Sequence, residues 1–95
     1  MTKNKIINYL TNHKKEFQEK YELENIGLFG SYARDEATNK SDIDIFVQMK
    51  PSFIKLIGLK YQIEDKFHIK VDIIRLRDKM NISLKNRILK DAIYV

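Results

Sequence analysis

The stretch "GSYARDEATNKSDIDIF", residues 30 to 46, gathers residue types that together could handle a phosphate ester. Asp42 and Asp44 stand two positions apart. On an extended strand that spacing points both carboxylates to one side, roughly 6.5 to 7 Å apart along the chain. Without a cation such neighbours repel, and one tends to keep its proton. A divalent ion reverses the sign, because Mg²⁺ takes oxygen ligands and is commonly shared between one or two carboxylates and a substrate's phosphates. Two such ions ~3.5 to 4 Å apart can stabilise both the attacking and the leaving oxygens of phosphoryl-type transfer. Gly30 and Ser31 supply the complement. Gly30 lets a phosphate approach the backbone with no Cβ in the way, and Ser31 stands where free N–H groups and the dipole of a short helix favour an anion. A third acid, Asp72, lies in the later run "VDIIRL". Gly-Ser alone reads equally well as a capped turn, and Asp-Ile-Asp alone as a polar strand edge. Gly-Ser-x10-Asp-x-Asp with a third aspartate on a distant strand is far more specific.

Those groups need a particular order of elements to bring them together. Residues 3 to 21 place Ile6, Ile7, Leu10, Phe17 and Tyr21 on one stripe at helical period, with Thr2 as N-cap. His13 at the margin of that stripe has no second ligand at a convincing spacing and reads as a packing residue. "NIGLF", 25 to 29, predicts a short strand, and Ser31 to Ala37 a short helix. "SDIDIFVQM", 41 to 49, alternates, with Ile43, Ile45 and Val47 on one face and Asp42, Asp44 and Phe46 on the other. Ser52 then caps a second long helix carrying Phe53, Ile54, Ile57, Tyr61, Ile63 and Phe67, in which Gly58 is a weak point. "IKVDIIRL", 69 to 76, predicts a third strand, and "SLKNRILKDAIYV" a closing helix with Leu84, Ile88, Leu89 and Ala92 on one face.

The order is α-β-α-β-α-β-α, an α/β (α+β) domain built on a small mixed sheet with helices on one face. A helix of this length between strands two and three suits a parallel crossover. Parallel pairing would make Asp44 and Asp72 neighbours, on a face left partly open.

Ninety-five residues make one domain, 1 to 95, and exclude a second one. With no cysteine there is no disulfide framework, thiolate metal site or thiol nucleophile, which suits the cytoplasm. No apolar run approaches the ~20 residues of a membrane span, and residues 1 to 15 lack a signal-peptide pattern. The net charge of +5 is uneven: residues 51 to 95 carry ten Lys/Arg against five Asp/Glu. That excess would suit phosphate-bearing ligands, nucleic acid or an acidic partner, but also plain lysine-rich helix surfaces. No helix-turn-helix or aromatic stacking motif strengthens a nucleic-acid role.

The stretch "GSYARDEATNKSDIDIFV" resembles the signature of the minimal nucleotidyltransferases, the small branch of the DNA polymerase β-like superfamily whose members act as antitoxins beside HEPN-domain toxins. The resemblance extends over nearly the whole chain, including "VDIIRL" and "RILKDAIYV". It implies that Gly30 and Ser31 hold the triphosphate of ATP, that Arg34 steadies phosphate charge, and that Asp42 and Asp44 bind Mg²⁺. Asp72 would ligate the metal or activate the attacking hydroxyl. The activity so implied is transfer of AMP from ATP to a hydroxyl of a partner HEPN toxin, with a tyrosine as the expected acceptor. The rival is an antitoxin that neutralises its toxin by binding alone. One position departs from the family pattern: Asp35 stands where a glycine often follows the arginine, which would alter the path of the short helix and add negative charge beside the triphosphate.

Overall fold

The computed structural model describes all 95 residues. Eight elements follow one another: α1 (Lys3–Tyr21), β1 (Leu23–Phe29), α2 (Gly30–Ala33), β2 (Ile43–Met49), α3 (Phe53–Phe67), β3 (Val71–Arg75), α4 (Ile82–Asp91) and β4 (Ile93–Tyr94). The two long helices start where the sequence supplies a hydroxyl. Thr2 Oγ1 accepts from the Lys5 N–H at 3.3 Å and Ser52 Oγ from Lys55 at 3.3 Å, each satisfying a donor the helix leaves unpaired.

The four strands form one mixed sheet in the order β3-β2-β1-β4. β1 and β2 are antiparallel, β4 is antiparallel to β1, and β2 and β3 are parallel across the α3 crossover. α1 and α3 seal one face over Ile6, Leu10, Phe17, Ile26, Leu28, Ile43, Ile45, Val47, Leu59 and Ile63, all fully buried. On the other face a second, smaller cluster joins Phe29, Phe46, Leu76 and Ile88. It lies beneath α4, so this face is not bare. α4 covers its Phe46 half and leaves the Asp44 half open.

Several boundaries differ from the sequence reading. β1 begins two residues earlier, at Leu23, and β2 begins at Ile43, so Asp42 lies just before the strand. α2 is a single turn that ends at Ala33 instead of running to Ala37, and Asp35 follows it in the left-handed conformation with φ 58°. The closing helix stops at Asp91. Ala92 turns extended, and Ile93–Tyr94, a β-branched and an aromatic residue, pair with Gly27 and Leu28 on the open edge of β1. Gly27 makes this possible, since a Cβ there would collide with the Phe46 ring and the Ile93 carbonyl. The buried stripes also differ. On α3 the fully buried positions are Leu59 and Ile63, whereas Phe53, Ile54 and Tyr61 face solvent; on α4 Ile88 is buried and Leu89 exposed. These helices carry apolar residues on more than one face, and periodicity alone does not say which face meets the sheet.

Candidate active site

The register of β2 against β3 decides the site. Ile43 faces Val71, Asp44 faces Asp72 and Ile45 faces Ile73. One bond fixes that register at its N-terminal end, and a second ties the start of β3 to α3. The Ile43 N–H donates to the Lys70 carbonyl at 2.9 Å, and the Val71 N–H donates to Glu64 Oε2 at 2.8 Å. Residues paired across adjacent strands stand on the same face. Asp44 and Asp72 are therefore side-by-side carboxylates, and Asp42 approaches from the segment entering β2. Its Oδ2 lies 3.8 Å from Lys70 Nζ.

Asp44 registers the crowding. Its carboxyl is pushed up to about 6, first by burial, then by the negative charges of Asp72 and Asp42, with Arg87 and Arg34 pulling the other way. A carboxylate held half-buried against two others is an electrostatic cost the fold carries at this one place, since no polar or charged residue is fully buried anywhere.

Gly30 opens α2 directly above. β1 delivers it there because Phe29, the last strand residue, pairs with Asp44. Its φ is 77°, a region side chains rarely adopt, and a Cβ on it would run into Asp44 Oδ2, with Cγ at 3.0 Å and Cβ at 3.2 Å. The absence of a side chain at residue 30 is thus what lets the helix start sit on the carboxylate. Ser31 follows, half-buried.

Arg34 makes two ion pairs with neighbouring acids. Its Nε donates to Glu36 Oε2 at 3.0 Å and its Nη1 to Asp91 Oδ2 at 2.5 Å, tying the end of α2 to the end of α4. Asp35 donates nothing to the site. It accepts from Lys3 Nζ at 2.8 Å, and its backbone is left-handed, the conformation that costs glycine least. His13 packs as expected, its Nδ1 2.9 Å from the Tyr9 carbonyl and its ring stacked on Phe17.

The three aspartates do not close into a cage, and no three His, Asp or Glu side chains are gathered tightly enough to grip a metal by themselves. The donor set nevertheless fits Mg²⁺. It offers hard oxygens, carries excess negative charge that a cation relieves, and is open on one side, where substrate phosphates would complete the coordination. A groove of about 340 Å³ beneath α3, lined by Phe53, Leu56, Ile57, Lys60, Tyr61 and Ile73, runs to Asp72 at the sheet edge. Larger hollows, such as that between Glu22, Lys50 and Lys55, lie away from the carboxylates. Sequence reading missed Arg87 and Asp91, although "RILKD" sets them four apart, on one side of a helix.

A family model described as polymerase beta, nucleotidyltransferase, matches residues 4–95, and the chain belongs to that family. Among its relatives, a Methanocaldococcus jannaschii protein provisionally named protein adenylyltransferase MJ0126 is 44% identical over 99% of this chain and 98% of its own length. Protein adenylyltransferase MntA of Thermococcus cleftensis is 35% identical over 100% of this chain and 97% of its own. The fold matches a minimal nucleotidyltransferase structure with a TM-score of 0.79 at 24% identity, covering 98% of this chain and 95% of that one. A toxin-antitoxin crystal structure with AMP-PNP matches with a TM-score of 0.70 at 26% identity, over 99% of this chain and 72% of the other. A tri-AMPylated Shewanella oneidensis HEPN toxin in complex with its minimal nucleotidyltransferase antitoxin matches at 0.60 and 26%, over 97% and 66%. The chain is thus a nucleotidyltransferase of the minimal kind. No helix is long and apolar enough to cross a membrane.

Proposed function

We propose that this enzyme is the antitoxin of a toxin-antitoxin pair and moves AMP from ATP to a tyrosine hydroxyl of a HEPN-domain partner. The observation that carries the reading is the Asp44–Asp72 pairing under Gly30, which sets charge-holding oxygens beside a helix start that admits phosphate. The names of the similar proteins, protein adenylyltransferases and antitoxins bound to HEPN toxins, support the choice of donor and acceptor.

In the reaction the acceptor oxygen bonds to the α-phosphorus of ATP, the bond from that phosphorus to the bridging oxygen breaks, and pyrophosphate leaves. Gly30 and Ser31 hold the triphosphate through backbone N–H groups and the serine hydroxyl. Asp42 and Asp44 would hold Mg²⁺, which when bound supplies positive charge for the phosphates and the leaving pyrophosphate. Asp72, on the edge strand, takes the proton from the incoming hydroxyl. The carboxylates face outward, so the partner completes the site, bringing its tyrosine toward Asp72. The exposed Phe53, Ile54 and Tyr61 on α3 give that flank the apolar character of a protein contact.

Labelled ATP, Mg²⁺ and the co-purified partner provide the test. Asp42→Asn, Asp44→Asn and Asp72→Asn should each lower label transfer by about 10³-fold, within the range for losing a positioned acid-base group. Unlabelled partner, together with equal protection by wild type and all three variants, would overturn the enzymatic reading in favour of neutralisation by binding.

A further inference from the structure

We propose that Arg87 on α4 is the cationic side chain that grips the nucleotide's triphosphate, and that Arg34 and Asp91 brace α4 so that Arg87 stands where the phosphates arrive. This inference rests on the reading of the site as a triphosphate-binding one.

Three carboxylates and a triphosphate carry more negative charge than one or two divalent ions offset, so a site that gathers them gains from further positive charge. Two arginines stand on the elements that flank Asp44, Arg34 at the end of α2 and Arg87 on α4. They differ in what they are free to do. Arg34 is bonded to both Glu36 and Asp91, so two of its five N–H donors and much of its charge serve those two acids. Arg87 is exposed and makes neither a hydrogen bond nor an ion pair. Lys70 stands at Asp42, on the entry side of β2.

The helix geometry places Arg87 on the correct side. Ile88 anchors α4 by burying itself with Phe29 and Phe46, on the same sheet face as Asp44. Asp91, with its side chain 11% exposed, points to Arg34 at the end of α2. Arg87 precedes Asp91 by four residues and so shares its side of the helix, toward α2 and the carboxylates. A planar guanidinium there can bind two phosphate oxygens at once. The basic excess of the last half of the chain is thereby given one specific task.

Equilibrium binding of ATP with Mg²⁺ to the complex with its partner, with inorganic tripolyphosphate and adenosine as separate competitors, tests this. Arg87→Ala should weaken ATP and tripolyphosphate at least about tenfold, as expected for one lost charge-assisted contact, and leave adenosine unchanged. Arg87→Lys should recover part of the loss. Arg34→Ala should lower the melting temperature and weaken ATP less than Arg87→Ala does, and it should have no further effect on binding in the Arg87→Ala background. Wild-type ATP affinity in Arg87→Ala overturns the proposal, as does a full loss in Arg34→Ala that persists when Arg87 is absent. Arg87-dependent binding without AMP transfer supports it while overturning only the acceptor assignment. A wild-type chain that binds no ATP overturns both.

Discussion

The two faces of the sheet are built to opposite standards. Beneath α1 and α3, sixteen buried residues form one cluster, in which the rings of His13 and Phe67 pack on Tyr9, that of Tyr21 on Phe17, and Tyr9 and Phe17 on each other, with no unpartnered polar atom. On the opposite face a four-residue cluster under α4 shares the surface with three like charges. β2 belongs to both: Ile43, Ile45 and Val47 are fully buried on one side, while Phe46 and half-buried Asp44 alternate on the other. A small domain with little stability to spare concentrates its apolar burial on one side and carries an electrostatic cost on the other. Substitutions on the sealed face should therefore change folding and leave chemistry per folded molecule alone, and substitutions on the open face should do the reverse.

The largest stability effect belongs to the sealed face. Phe17 is fully buried between Tyr9, His13 and Tyr21, and Phe17→Ala should cost about 3 to 5 kcal/mol through lost transfer energy and the cavity left behind. Chemical denaturation measures the loss, and AMP transfer normalised to folded protein should stay near wild type. A large fall in normalised activity would break the division between the faces. Gly30→Ala is the counterpart on the open face. It should lower AMP transfer by roughly 100-fold while costing only about 1 to 2 kcal/mol of stability, because its methyl meets the Asp44 carboxylate and its φ of 77° disfavours any side chain. Normal activity in this variant would show that α2 can move off the carboxylate without harm.

How far the sequence revealed each face follows from what each is made of. The open-face acids were legible because charge is conspicuous on a strand: alternation in "SDIDIFV" aims Asp42 and Asp44 away from the aliphatics, and crossover length pairs β2 with β3 in parallel. The sealed face was legible as helices but not as faces. Phe53, Ile54 and Tyr61 on α3 have the same apolar character as Leu59 and Ile63, and only the sheet decides which set is buried. β4 was missed because a two-residue strand has no periodicity; it exists by pairing with β1, a contact between residues some 65 positions apart that local pattern does not encode. The Arg34–Asp91 brace joins residues 57 positions apart, so local pattern gives no sign that Arg34 is also tied to the end of α4. Asp35 is the converse case, a departure from pattern whose accommodation is visible: an aspartate tolerates the left-handed turn, and Lys3 pairs with its charge.

The smallest effect sharpens the contrast most, because it gives one residue opposite signs in stability and in catalysis. The Asp44 carboxyl ordinarily titrates at 3.8 and is raised to about 6 in the folded chain. A raised folded value means that the native state holds the proton more tightly than the unfolded state. The associated stability is complete below about pH 4 and is lost as pH rises through about 6. At pH 7 and without metal, the fold thus carries an ionised group it would rather keep neutral. Asp44→Asn removes that group, so the variant should be more stable than wild type at pH 7 by roughly 1 kcal/mol, the full shift being discounted because the carboxylate is partly solvated. Denaturation in a chelator should show the advantage at pH 7 and its disappearance at pH 4. Saturating Mg²⁺ should then narrow the gap at pH 7, since a cation that binds the native wild-type site stabilises it by mass action and has less to bind in the variant. An Asn variant no more stable than wild type at pH 7 would mean that Asp72 and Asp42 do not burden Asp44, and that the open face is not held at a cost to the fold.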